Sequence, residues 1–330
     1  MIQLKRRKLA LLLLFALFLS GCGKTASEQG LALSYTGSQS FEYYDVGNDR
    51  NADYLSGRGS EVCIPSVENA EDTVAADKEC VYGLYRLSDN EVLREHGVLE
   101  QIYPASTTKL LTALVALKYC NLSESVTFSY NASHIGISGA VLCGFKEGDT
   151  VMLGDLLSAL LIYSGNDAGV AIAEHISGSV ESFAELMNEE AKKLGAVDTH
   201  FVNPHGLHNK EHYTTAYDIY LILNELVHYN SFLSIIAMPS CDVNYVDAQG
   251  NAKTKTFNST NLYFGGSFKV PDGIEIIGGK TGTTNAAGCC LTLYFKSEDG
   301  TSYIAEVFHA PSYEVLYGKM TELMRIAASE

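Results

Sequence analysis

The sequence predicts an α/β domain with a helical insertion, and three observations carry that prediction. A hairpin-like alternation appears near residue 80, a series of helical periods runs from 106 to 229, and strand alternation returns from 241 to 309 ahead of one last helix. Hydrophobic residues at 46% against 19% charged supply a packed core and exclude a disordered or collagen-like chain.

Taken in order, Cys80–Leu87 and Glu91–His96 read as two strands joined at Ser88-Asp89-Asn90. Ser106 to Cys120 is an apolar helix with Pro104 just ahead of it. Asp155–Tyr163 is a second helix, broken at Ser164-Gly165-Asn166 and resumed over Asp167–Ser177, where Gly178 stops it. Ser182–Leu194 is amphipathic and ends at Gly195, a natural residue for the left-handed helix stop. Thr215–Tyr229 is a further helix. Strands follow at 241–247, 252–257, 276–284, 288–296 and 301–309, and Tyr313–Ala328 closes the chain as an amphipathic helix. No internal repeat is visible.

Lys+Arg number 23 against 39 Asp+Glu, a formal charge of −16, so nucleic-acid phosphates would be repelled and no nucleic-acid partner is expected. The positive exception is the start, Lys5-Arg6-Arg7-Lys8, followed by eleven apolar residues from Leu9 to Leu19. That run is too short to span a bilayer but suits the core of a secretory signal. Leu19-Ser20-Gly21-Cys22 then resembles the bacterial lipobox, in which the cysteine is lipidated and becomes the new N-terminus. The expected organisation is a signal peptide at 1–21, a lipidated spacer at 22–78 and a catalytic domain at 79–330. The expected location is the outer face of the cytoplasmic membrane, with the membrane as a partner through lipid on Cys22.

Seven cysteines remain besides Cys22, an odd number, so they cannot all pair within one chain. A Cys63–Cys80 bridge stays open. Adjacent Cys289 and Cys290 in a strand point to opposite faces, and the absence of C-x-x-C spacing argues against zinc. His205, His208 and His212 share a loop without forming a convincing ligand set, so neither metal nor cofactor is expected. Gly23-Lys24-Thr25 and Gly279-Lys280-Thr281 lack the earlier glycine of a phosphate-binding loop. The acidic clusters Glu68–Asp72 and Glu185–Glu190 read as solvated faces.

Three short motifs carry chemistry. Ser106-Thr107-Thr108-Lys109 places a hydroxyl and an amine three residues apart at a helix start, on one face. A serine needs a base to become a nucleophile, and a desolvated lysine beside another cation can supply it. Ser164-Gly165-Asn166 follows 58 residues after Ser106, in a break between helices. Lys280-Thr281-Gly282 follows 116 residues after Ser164, on a strand entered through Gly278-Gly279. There Lys280 supplies charge, Thr281 and Thr283 supply hydroxyls on alternate positions, and Gly282 is expected to let a substrate chain lie close.

Residues 79 to 315 resemble the serine D-alanyl-D-alanine carboxypeptidases, the low-molecular-mass penicillin-binding proteins. The three motifs carry the resemblance, supported by Phe145-Lys146-Glu147-Gly148-Asp149, Asn203-Pro204-His205-Gly206-Leu207 and His212-Tyr213-Thr214-Thr215-Ala216. The resemblance implies a β-lactamase/transpeptidase-like fold, an antiparallel sheet flanked by helices with a helical subdomain. It implies that Ser106 is acylated by a peptidoglycan stem peptide ending in D-Ala-D-Ala, with Lys109 as general base. Ser164 and Lys280 would pass the proton to the leaving D-Ala, Asn166 would hold the substrate amide, and Thr281 and Thr283 its carboxylate. The amides of Ser106 and Thr283 would form the oxyanion hole, and β-lactams would act as inhibitors.

Two departures stand out. Tyr217 occupies a position where relatives commonly carry Arg, and only about 20 residues follow the last strand, too few for a C-terminal β-domain. Rival readings are a DD-endopeptidase, which shares the motifs, a class A-like β-lactamase and a non-catalytic β-lactam sensor. A β-lactamase of that class would need a deacylating Glu in the loop around 200–212, which offers no Glu-x-x-x-Asn; a sensor would have lost one of Ser106, Lys109, Ser164 or Lys280.

Overall fold

The computed structural model describes residues 62–65 and 80–330, so the expected signal peptide, Cys22, the spacer apart from 62–65 and the Glu68–Asp72 cluster lie outside the described residues. A five-stranded antiparallel sheet forms the centre, in the order β2-β1-β9-β8-β7. Its strands are β1 (Val81–Arg86), β2 (Glu91–His96), β7 (Ile274–Thr284), β8 (Gly288–Ser297) and β9 (Ser302–Ala310). The fold class implied by the motifs is the one observed.

The two faces of this sheet explain why β8 and β9 are apolar almost throughout. Tyr82, Leu84, Leu291, Leu293, Tyr303, Ala305 and Val307 pack under α8 (Tyr313–Ala327), against Leu316, Met320, Leu323 and Met324. Val81, Tyr85, Cys290, Tyr294, Ile304 and Phe308 face the other way, toward the helices. A strand covered on both faces loses its polar alternation. Cys289 and Cys290 fall on these opposite sides, as their adjacency dictates. Cys63 and Cys80 also fall in the two separate cores, and neither is bonded to the other. The Cys63 thiol instead donates to the carbonyls of Arg86 and Glu91.

The helical side is built on α1 (Lys109–Tyr119), buried from Lys109 to Leu117 with no polar stripe to show solvent. Around it lie α2 (Tyr130–Ser133), α3 (Leu153–Ser158), α4 (Asn166–Ser177), α5 (Val180–Leu194), α6 (Ala216–Leu226) and α7 (Asn230–Ile236). Ser179, Thr215 and Ser312 cap α5, α6 and α8 with their hydroxyls, and Gly195 ends α5 at φ +88°. The predicted 215–229 helix therefore ends earlier, and α7 follows as a separate helix of about two turns.

A second antiparallel sheet has the order β3-β4-β5-β6, with β3 (Ser125–Thr127), β4 (Thr150–Met152), β5 (Ser240–Val246) and β6 (Ala252–Asn258). The predicted hairpin over 241–257 belongs here rather than to the central sheet. Its partners β3 and β4 are three residues each, too short to show a period.

One acidic cluster departs from its solvated reading. Glu185 is exposed, but Glu190 is buried and bonded to Lys118, Lys193 and Tyr119. Burial alone would raise its carboxyl; the two lysines and the phenol outweigh that and hold it down at about 2. The helical period placed Glu190 inward, and the cations of α1 and α5 made that tolerable.

Candidate active site

Ser106 does not begin an α-helix. Ala105–Thr108 is a 3-10 turn, and α1 starts at Lys109. The tighter turn stacks residues i and i+3 directly over each other, which brings Lys109 Nζ to 2.9 Å from Ser106 Oγ. Ala105, just before the serine, holds φ +47°, a left-handed conformation unusual for a residue with a Cβ.

Neighbouring residues hold that strained turn in place. His212 Nδ1 accepts from the Val202 amide at 3.0 Å, so its Nε2–H donates to Thr108 Oγ1 at 2.8 Å. The Thr108 hydroxyl in turn donates to the Ala105 carbonyl at 2.8 Å. Burial first, then His200, His208 and Lys109 nearby, push His212 down to about 3, so it stays neutral in this chain of bonds. Gly206 lies against the same carbonyl at φ +84°, and a Cβ there would sit 1.7 Å from Ala105 O. The histidine loop is thus a brace for the nucleophile turn. Within it His205 Nδ1 accepts from the Leu207 amide, and no convergence of the three imidazoles on a metal occurs among the described residues.

Lys109 is fully buried and makes two further contacts, to Asn166 Oδ1 at 2.8 Å and to the His205 carbonyl at 2.6 Å. Burial first, and the charge of Lys280 second, hold its ammonium well below the usual lysine range. A neutral amine has two N–H donors and one lone pair. Both carbonyl-type oxygens can only accept, so they take the two donors, and the lone pair is left facing the Ser106 hydroxyl.

Ser164 closes a π-helical turn, Ala159–Tyr163, that follows α3 and replaces the end of the predicted 155–163 helix. It takes φ +72°, and its buried Oγ has no hydrogen-bond partner among the described residues. A strained, orphaned hydroxyl is costly unless something uses it. Asn166 opens α4, with its amide nitrogen bonded to the Val141 carbonyl at 2.8 Å. Asp167 accepts from the amides of Cys143 and Gly144, which pins the 141–144 loop beside Gly165, where a Cβ would meet Cys143 Sγ at 2.1 Å.

Lys280, Thr281, Gly282 and Thr283 lie on β7, which packs against the serine turn. Gly282 admits the protein's own chain rather than a substrate's: a Cβ there would sit 2.9 Å from the Ser106 amide nitrogen and 3.1 Å from Ala105 Cβ. Gly279 admits β8 in the same way, 2.0 Å from Thr292 O. Lys280 is buried, donates to the Thr281 carbonyl at 3.0 Å, and is held down to about 7 by burial. Thr281 Oγ1 lies 2.5 Å from Thr260 Oγ1; Thr283 Oγ1 lies 2.7 Å from Gly282 O and 3.1 Å from the Tyr313 hydroxyl.

The structure thus joins Ser106, Lys109 and Asn166 by direct bonds, with Lys280 close enough to act on Lys109. Sequence reasoning missed Thr108, Cys143, Thr260, Tyr313 and the bracing role of His212. The Asn-Pro-His-Gly-Leu loop was a visible signal for the His205 carbonyl; the others come together only in three dimensions. Tyr217, at the position expected to carry Arg in relatives, is not part of this cluster. It stacks on Tyr220 at 5.7 Å and bonds the Val98 carbonyl.

A family model described as D-alanyl-D-alanine carboxypeptidase matches residues 69–312. The carboxypeptidase DacF of Bacillus subtilis is 33% identical over 245 residues, covering 73% of this chain and 59% of DacF. DacC of Escherichia coli is 34% identical over 234 residues, covering 68% of this chain and 55% of DacC. The chain therefore spans somewhat more than half the length of these curated relatives. Among solved structures, the Streptomyces K15 DD-transpeptidase superposes with a TM-score of 0.70 at 25% identity, over 76% of this chain and 97% of that one.

Proposed function

The chain belongs to the D-alanyl-D-alanine carboxypeptidase family, and on that premise we propose that it removes the terminal D-Ala from peptidoglycan stem peptides through an acyl-enzyme on Ser106. The observation that carries this reading is Lys109: buried, its ammonium disfavoured by burial and by Lys280, and its Nζ 2.9 Å from the Ser106 hydroxyl.

Lys109 takes the Ser106 proton as Oγ attacks the carbonyl of the D-Ala-D-Ala bond. The amides of Ser106 and Thr283 receive the developing oxyanion. Lys280, Thr281 and Thr283 hold the terminal carboxylate, and the Asn166 side-chain amide holds the substrate backbone. The unpartnered Ser164 hydroxyl, with Lys280, relays the proton held by Lys109 to the departing D-Ala amine, which leaves Lys109 neutral again. Water then hydrolyses the ester, with Lys109 again accepting a proton, and frees the shortened peptide. A β-lactam carries the same carboxylate beside an acylating carbonyl and would be trapped on Ser106.

The cationic start, the apolar run and Leu19-Ser20-Gly21-Cys22 support export and tethering at the outer face of the cytoplasmic membrane by lipid on Cys22. More than one acyl chain anchors stably. Cys22→Ala should be left unprocessed or mislocalised; normal cleavage and membrane retention in that variant would refute the tether.

Mass spectrometry of the purified protein tests the activity. Incubation with penicillin should add one covalent mass, mapping to Ser106, and incubation with a D-Ala-D-Ala pentapeptide should release one D-Ala. An adduct elsewhere, or rapid catalytic turnover of penicillin, would move the protein to another class.

A further inference from the structure

We infer that Cys120, Glu124 and His175 form a binding site for a divalent metal ion of zinc type, where the C-terminal ends of α1 and α4 meet. Their ligand atoms, one thiol, one carboxylate oxygen and one imidazole nitrogen, all lie within 4.8 Å of one another. His175 Nε2 is 2.8 Å from Glu124 Oε2, and Glu124 Oε1 is held by the Asn121 amide at 2.7 Å. Tetrahedral zinc with bonds of about 2.0–2.3 Å places its ligands roughly 3.5 Å apart, which asks only for small side-chain rotations.

The surroundings favour a cation. Cys120 caps the C-terminus of α1, and His175 is in the last turn of α4, so the negative ends of two helix dipoles face the cluster. Glu124 is half-buried and His175 exposed, which leaves an entry path and a fourth position for water. On binding, the thiol proton goes to solvent, neutral imidazole binds through Nε2, and thiolate plus carboxylate balance the two positive charges. Nitrogen, sulfur and oxygen donors together suit zinc and cobalt rather than calcium or magnesium.

The location gives the site a purpose independent of the proposed reaction. Lys109 is the first residue of α1 and Asn166 the first of α4, and they bond to each other at 2.8 Å. Cys120 and His175 join the opposite ends of the same two helices. A metal there clasps the helix pair at the end remote from the serine.

Cobalt(II) is the probe. The purified full chain, chelator-treated and reduced, should develop a thiolate-to-cobalt charge-transfer band in the near ultraviolet, saturating at one equivalent and erased by zinc. Zinc should also raise the melting temperature. Cys120→Ser should lose the band, and His175→Ala and Glu124→Gln should each weaken binding at least tenfold; penicillin labelling reports that each variant is folded. Absence of the band in the parent protein overturns the inference. So does a band that persists in Cys120→Ser, or one untouched in both His175→Ala and Glu124→Gln, because the ion would then sit on another cysteine.

Discussion

The helix-borne and strand-borne halves of the site are prepared in opposite ways. On the helical side Lys109 is fully engaged by Ser106, Asn166 and the His205 carbonyl before any substrate arrives. On the strand side Lys280 reaches only the adjacent Thr281 carbonyl, and among the described residues no carboxylate pairs with it. Two buried lysines so near each other cannot both hold a proton cheaply. The fold settles the conflict by asymmetry. Burial and the Lys280 charge disfavour the Lys109 ammonium, which suits the base of the proposed mechanism, while Lys280 is held down to about 7. On that mechanism the catalytic machinery is built in, and recognition is left for the substrate carboxylate to finish.

Lys109→Arg should break the helical half outright. A guanidinium stays protonated even when buried, so no lone pair would face Ser106. The acylation rate by penicillin, followed by mass spectrometry, should fall by about 10²–10⁴, the usual worth of a general base. Retention of a substantial fraction of the rate would remove Lys109 from the base role and route the proton through Ser164 instead.

Gly282→Ala should separate the halves mechanically. A Cβ at that position meets the Ser106 amide at 2.9 Å, and the serine turn must retreat from β7. Displacements of that order cost about 10²-fold in rate. The loss should appear in acylation with little change in melting temperature. An unaffected rate would show that β7 and the turn move together without consequence.

How much of this was legible in the sequence differs between the halves. The three motifs, the strand carrying Lys280, the capped α5 and the closing α8 all follow from local pattern. The strained geometry does not. Ala105 at φ +47° and Ser164 at φ +72° defy their own residue preferences and are imposed by packing, by the His212–Thr108 chain and the π turn. β3 and β4 exist only because they pair with each other and β4 with β5, and Glu190 is buried only because Lys118 and Lys193 are there to meet it. Gly282 was readable as a close-approach residue, but not which chain approaches.

The pH profile should resolve the two lysines. The proposed mechanism needs Lys109 neutral and Lys280 charged. Acylation should therefore rise with pH through a Lys109 limb lying well below the ordinary lysine value, and kcat/KM should fall as Lys280 loses its proton above about 7. Beyond that limb the loss should approach about tenfold per pH unit. A bound carboxylate favours the Lys280 cation, so the same limb in kcat should lie at higher pH than in kcat/KM. Coincident limbs would mean that Lys280 does not meet the carboxylate.

Tyr313→Phe should give the smallest effect and probe the strand half most finely. Tyr313 is the first residue of α8, 44% exposed, and its hydroxyl lies 3.1 Å from Thr283 Oγ1. The Thr283 hydroxyl currently sits on the Gly282 carbonyl, a bond within its own strand that a carboxylate can replace. With the Tyr313 hydroxyl donating to Thr283 Oγ1, the threonine proton is directed outward once substrate arrives, and recognition gains a donor fixed in place. Removing one such bond is worth about 1 kcal/mol. KM for the D-Ala-D-Ala peptide should then rise about 2–10-fold while kcat holds. A fall in kcat at unchanged KM would place Tyr313 with the acylation machinery of the helical half, and the division between prepared catalysis and incomplete recognition would not run along β7.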